Sequence, residues 1–334
     1  MNTKRWIALS IAVALFIFSI GINAVIGFLK SDIVSNVTKG TDVNLQENII
    51  EGGNFTKRIA LLTVDGVIQD VGPSTPWATL EYDHQMFLSQ LESIKNDPTV
   101  GAVVLSVNSP GGGAIESAEI HEKIVELKEE RNIPIYVSMG SMAASGGYYI
   151  SAPADKIFAH RETITGSIGV IMSSYNFSQL AENLGIEFET IKSGEHKDMF
   201  GGTRATTEEE KAMLQEMIND SYEVFVDVVE QGRGMSEAEV KAVADGRIVG
   251  GSQAIEAGLV DELGGLEDAI ASLRTDYGLE DAQLFEYKSD LGGFGSLLGM
   301  NISSIFGPSA ETQMITKLMS SSNSPRLMYL YGEF

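Results

Sequence analysis

Two stretches of this chain share one plan: a short apolar run, a glycine-rich turn, and then a helix-patterned segment. Val100–Val107 leads into Asn108-Ser109-Pro110-Gly111-Gly112-Gly113, and Ile133–Met139 leads into Gly140-Ser141-Met142-Ala143-Ala144-Ser145-Gly146-Gly147. A short apolar run bounded by turn residues reads as a buried strand. After the first turn, Ile115, Ala118, Ile120, Ile124 and Leu127 mark one face of a helix; after the second, Ala143 opens another helical stretch. Strands that alternate with helices build a mostly parallel sheet with helical cover, so the fold class is α/β. Ile59–Ile68 adds a strand broken at Asp65-Gly66, His84–Ile94 a helix, and Lys156–Ala159 a short strand. Thr207 to about Gln231 reads as a long helix. Thr207 and Glu210 form its capping box, and Met213, Met217, Tyr222, Phe225 and Val229 its apolar stripe. No internal repeat is visible.

The ends of the chain differ from this middle. Trp6 to Leu29 carries no charge. As a helix it spans roughly 36 Å at about 1.5 Å per residue, enough to cross a hydrocarbon core of about 30 Å with some tilt. A cleaved signal peptide has a shorter apolar region, about 7–15 residues, followed by a small-residue site; the run here fits an uncleaved anchor better. Lys4 and Arg5 before it favour residues 1–5 inside and the body outside. Residues 30–57, polar and glycine-containing, read as a linker. From 287 to 334 the chain is apolar but poorly patterned, with Gly292, Gly293, Gly295 and Gly299 and a close of Leu327-Met328-Tyr329-Leu330-Tyr331. Such a tail is either a packing arm or oligomer contact, or a segment able to occupy an extended-peptide groove. The formal charge of −23 argues against a nucleic-acid partner. The chain has no cysteine, which excludes disulfides, thiolate zinc sites and a cysteine nucleophile.

The chemistry concentrates in the two turns. Glycines between strand and helix let backbone N–H groups face a ligand closely. Neither turn ends in Gly-Lys-Ser/Thr, so a phosphate-binding P-loop is not supported. Ser145, at a helix start, can act as a nucleophile only with a base. The histidines are His84, His121, His160 and His196. His121 lies on the polar, solvated side of a charged helix, His84 opens a helix remote in sequence, and His160 stays open as a candidate. His196 adjoins Lys197, and if Ser193–Asp198 is extended the two point to opposite faces. A lysine serves as the base when neutral, a state that burial favours.

Five pieces in order resemble the signal peptide peptidase A family, Ser/Lys proteases of the crotonase/ClpP-like fold. They are Asn108-Ser109-Pro110-Gly111-Gly112, Ala144-Ser145-Gly146-Gly147-Tyr148-Tyr149, Thr165-Gly166-Ser167-Ile168-Gly169-Val170, Lys192-Ser193-Gly194 with Lys197-Asp198, and Gly246-Arg247 through Gly258-Leu259-Val260-Asp261. The resemblance covers roughly Arg58 to Leu273 and implies a protease domain over 58–286. It implies Ser145 as nucleophile, Lys197 as general base, Ser167 as the hydroxyl orienting the lysine, and the N–H groups of Gly112 and Gly146 as the oxyanion hole. No cofactor or metal is implied. Longer members carry two copies of the domain, the lysine of one reaching the serine of the other. This chain has one copy, so the implied unit is a ring-like homo-oligomer with sites shared between subunits. The implied substrates are short apolar peptides, such as signal-peptide remnants, at a cell membrane spanned once by residues 6–29, with the catalytic domain outside the cytoplasm. Three other readings stay open: a ClpP-like Ser/His/Asp protease, a crotonase-type acyl-CoA enzyme, and a catalytically silent membrane scaffold.

Overall fold

A computed structural model describes residues 45–70, 82–289 and 326–332. The apolar run at 6–29 and most of the tail lie outside these residues. Among the described residues, no helix is long and apolar enough to cross a membrane.

The strands are β1 (Leu45–Glu51), β2 (Asn54–Asp65), β3 (Val100–Ser109), β4 (Gly111–Gly113), β5 (Ile135–Ala144), β6 (Lys156–Ala159), β7 (Ile164–Gly166), β8 (Ile248–Gly250), β9 (Glu262–Leu263), β10 (Ala282–Ser289) and β11 (Met328–Leu330). The helices are α1 (His84–Asn96), α2 (Ala114–Arg131), α3 (Gly146–Ser151), α4 (Ser178–Asn183), α5 (Glu208–Arg233), α6 (Glu237–Val243), α7 (Gly251–Glu256) and α8 (Leu266–Tyr277). The main sheet runs β1-β10-β2-β3-β5-β6-β9, with β7 and β8 branching from the end of β5. β10, β2, β3, β5, β6 and β9 pair in parallel, whereas β1 is antiparallel to β10. This is the mixed α/β architecture with a mostly parallel sheet that the strand–turn–helix plan predicts.

The central strands are apolar because both faces of the sheet are covered. Leu62, Val64, Val103, Leu105, Val137 and Met139 are buried on one side with Phe87, Ile120, Ile124 and Phe225. Ile59, Val104, Tyr136 and Phe158 are buried on the other with Ile270 and Leu273 of α8. The capping box of α5 is present, Glu210 N–H donating to Thr207 Oγ1 and Thr207 N–H to Glu210 Oε2.

Several boundaries differ from the sequence expectation. Residues 45–57, within the stretch read as a linker, lie mostly in β1 and β2. β5 runs on through Gly140–Ala144, where a turn and a helix start are expected, because Met142–Ala144 pair with β7. Ile115 is exposed although the apolar pattern assigns it inward. On α5, Phe225 and Val229 are buried, but Met213 and Met217, in the N-terminal half of that stripe, stay exposed among the described residues.

Candidate active site

The site forms where β3 and β5 end side by side. After β3 the chain turns at Gly111, whose φ of 96° suits glycine. Ser109 Oγ accepts from Gly111 N–H at 3.0 Å. Gly112 lies so close to the backbone of Ile68 that a Cβ there would sit 1.8 Å from the Ile68 carbonyl oxygen. After β5 the chain makes a second tight turn at Ser145, which is 1% exposed. Its φ is 54° and its ψ −116°, in a region non-glycine residues rarely occupy. Two bonds hold it there: Ser145 N–H donates to Gly166 O at 2.8 Å, and Tyr149 N–H to Ser145 O at 2.8 Å. A strained, well-anchored backbone of this kind clusters at functional sites.

Ser167 follows β7, is nearly buried, and has a φ of 52°. Its N–H donates to Arg247 O at 2.7 Å. With Asn219, Tyr222 and Asp245 it lines a cavity of about 580 Å³ that Leu330 and Tyr331 also border.

Lys197 is placed differently. It is exposed on a 3-10 turn, Glu195–Asp198, where the sequence allows an extended segment. Among the described residues no hydrogen bond or ion pair joins it to Ser145. Its neighbours are tied down around it. Arg204 donates to Asp198 Oδ1 at 2.7 Å and to Glu210 Oε2 at 2.8 Å, and Lys192 donates to Asp198 Oδ1 at 2.7 Å. The Arg204 guanidinium holds both carboxyls well below the usual carboxylate range, Lys192 assisting at Asp198 and the Thr207 N–H at Glu210. Asp198 and Glu210 therefore stay ionised at neutral pH and fix the turn to the start of α5.

None of the four histidines bonds Ser145. His84 is buried between Tyr82 and Glu119, at 2.8 and 2.7 Å. His160 is exposed. His196 Nδ1 lies 3.4 Å from Glu210 Oε1. His121, read from the sequence as solvated, instead packs edge-on against Tyr149, with ring centroids 5.3 Å apart. Burial lowers its pKa to about 4. The helix pattern misplaces it because Tyr149 comes from α3, which covers that face.

Of the tail, residues 326–332 are described, and they run as an extended strand along the first glycine-rich turn. β11 pairs antiparallel with β4, Tyr329 opposite Gly112. On its other edge Met328 exchanges backbone hydrogen bonds with Ile171, at 3.0 and 3.1 Å. Tyr331 N–H donates to Pro110 O and Ala114 N–H to Leu327 O. Antiparallel alternation then makes Tyr329–Gly112 a hydrogen-bonded pair, so the Gly112 N–H points at the Tyr329 carbonyl oxygen. Gly146 is beside it, since a Cβ on Gly146 would lie 3.0 Å from that same oxygen. The Tyr329 ring is 3% exposed. It stacks on Tyr149 at 4.9 Å, packs on Phe225 at 4.8 Å, and its hydroxyl donates to Ser221 O at 3.1 Å.

Comparison with known proteins gives the family. Residues 127–280 match Peptidase family S49. An Enterococcus faecium protein named "Putative signal peptide peptidase SppA" is 44% identical over 99% of this chain and 99% of its own length. The chain belongs to peptidase family S49. "Serine protease SPPA, chloroplastic" of Arabidopsis thaliana is 33% identical over 64% of this chain and 32% of its own length. "Protease 4" of Haemophilus influenzae is 34% identical over 66% of this chain and 35% of its own length. This S49 protein is thus a serine peptidase, and Ser145 and Ser167 are both buried with a positive φ.

Proposed function

We propose that this S49 peptidase is a membrane-anchored Ser/Lys endopeptidase that cleaves short apolar peptides, such as signal-peptide remnants, on the outer side of the membrane. The observation that carries the reading is the backbone carbonyl of Tyr329, set between the N–H of Gly112 and the turn at Ser145-Gly146. A peptide bound as β11 is bound would present its carbonyl to Ser145 with two donors beside the oxygen. Ser145 Oγ attacks that carbon while neutral Lys197 takes the hydroxyl proton. The N–H groups of Gly112 and Gly146 hold the oxyanion. Lys197 then protonates the leaving amine, and water, deprotonated in turn, releases the acyl group from Ser145. Ser167 orients the lysine amine. The parallel strands β3 and β5, ending side by side in glycine-rich turns, fit a crotonase/ClpP-like fold, which offers such a hole.

Lys197 comes from a neighbouring subunit in a ring-like homo-oligomer. Two features support this: its exposed place on the protomer, and the apolar side chains exposed before it. Phe177, Leu180, Leu184, Ile186, Phe188 and Ile191 are each about half exposed or more. A surface of that kind marks a protein contact. The anchor at 6–29 and the outward body rest on the sequence alone. External protease should digest the body on wall-stripped cells; complete protection of intact cells would overturn the orientation.

The tail acts as a self-inhibitor that the enzyme can trim. β11 adds a strand to the groove, the usual mode of extended-peptide binding, and a tethered strand has an effective concentration of about millimolar. Deleting residues 326–334 should raise kcat/KM on a short apolar peptide by about tenfold or more. Intact-mass analysis should also show slow loss of the residues after Tyr329 in the wild type and not in Ser145→Ala. An unchanged rate together with identical C-termini would dispose of the idea.

A further inference from the structure

The upstream end of the same groove holds an acid that the reaction does not use. Arg326 lies three residues before Tyr329. Its Nη1 donates to Glu116 Oε1 at 3.1 Å and its Nη2 to Gln69 Oε1 at 3.4 Å. The two partners differ in burial: the Glu116 side chain is 11% exposed and that of Arg326 48%. The acid stands on α2, under the tail that carries the cation.

We infer that Glu116 determines specificity, selecting peptides with a basic side chain three residues before the residue whose carbonyl is attacked. The inference rests on the proposed reading of β11 as a substrate-like strand. Glu116 is held rigidly. It sits in the first turn of α2, where a helix end favours a carboxylate. Asp70 N–H donates to its Oε1 at 3.2 Å. Its carboxylate lies directly over Gly113, where a Cβ would sit 1.8 Å from Oε2. Any side chain at 113 would displace the acid, so the turn that supplies Gly112 also makes room for Glu116. Other charges here reinforce a cation. Burial first, and then the carboxylates Asp83, Glu119 and Asp70 beside Glu116, push the Tyr82 hydroxyl up, and Glu119 in turn bonds His84. A mostly buried carboxylate loses more when its partner is removed than an exposed one does. A neutral side chain at this place leaves Glu116, among the described residues, with the Asp70 N–H as donor, and that difference is the selectivity.

General attraction of cations to a chain of charge −23 is a different effect, and position separates the two. The test uses the full chain and three acetylated peptides: Arg-Leu-Met-Tyr-Leu-Tyr-Gly, the same peptide with Gln for Arg, and one with the Arg moved one residue upstream behind a Gln. Wild type should cleave the first with a kcat/KM about three- to tenfold above the other two, the size expected of a half-exposed charge-assisted pair. Glu116→Gln keeps an acceptor for the Asp70 N–H and should bring the three rates within about twofold. The tail competes equally with all three peptides, so ratios are unaffected by it. Equal rates in wild type, or a preference that survives in Glu116→Gln, would overturn the subsite. If none is cleaved, the peptidase assignment of this groove fails instead. Fluorescence-anisotropy binding of the same peptides to Ser145→Ala then decides the subsite separately, by the presence or absence of the Arg preference.

Discussion

Ser145→Ala and Lys197→Ala should each lower peptide cleavage by about 10³-fold or more, as loss of a nucleophile or its base does elsewhere. Mixed and reassembled, the two inactive proteins should regain activity. In a ring with random order, a site works when a Lys197→Ala subunit supplies Ser145 and its neighbour, a Ser145→Ala subunit, supplies Lys197. At equal amounts that is about one site in four. The expectation comes from two placements. Ser145 is 1% exposed at the junction of β5 and α3. Lys197 is exposed on a 3-10 turn, with no bond to Ser145 among the described residues. Lys197→Ala should keep wild-type melting behaviour, since its side chain is exposed, and Ser145→Ala should stay close to it, since it removes a single buried hydroxyl. Absence of rescue at every ratio would place serine and base in one subunit.

Gly112→Ala should cost almost as much by another route. The new methyl carbon would sit 1.8 Å from the Ile68 carbonyl oxygen, far inside contact distance. The strand Gly111–Gly113 must move to admit it, and the N–H that faces the Tyr329 carbonyl moves with it. Loss of one oxyanion donor lowers kcat by about 10²–10³-fold, and the same displacement loosens the pairing of β4 with β11. The expected signature is a fall in kcat with the sheet intact by circular dichroism. It should be joined by easier proteolysis at the tail. Activity within about threefold of wild type would show that this N–H holds no developing charge.

Much of this site is readable in the residues, and the limits have physical causes. Val100–Val107 and the start of β5 are legible because strands covered on both faces are uniformly apolar. The start of α5 is legible from Thr207 and Glu210, whose mutual bonds are local in sequence. The order of five pieces from Asn108 to Asp261 carries the family, and the S49 match agrees with it. What is lost depends on contacts distant in the chain. Gly140–Ala144 looks like a turn but is a strand, because Ile164–Gly166 pairs with it. Gly111–Gly113 looks like a bare turn but is a strand, because Met328–Leu330 pairs with it. His121 looks solvated until Tyr149 covers it. Met213 and Met217 follow the apolar stripe of α5 yet face outward, and a second subunit is the cover the proposed ring provides. Arg204 and Glu116 are charged residues with no motif, and only the fold shows what they hold.

Ser145 as nucleophile and Lys197 as its base can be read out chemically. A fluorophosphonate probe, followed by proteolysis and peptide mapping, reports which serine reacts and whether it needs the lysine. One adduct is expected, on Ser145, formed faster once residues 326–334 are removed, and none in Lys197→Ala alone. An adduct on another serine, or undiminished labelling of Ser145 in Lys197→Ala, would contradict that assignment.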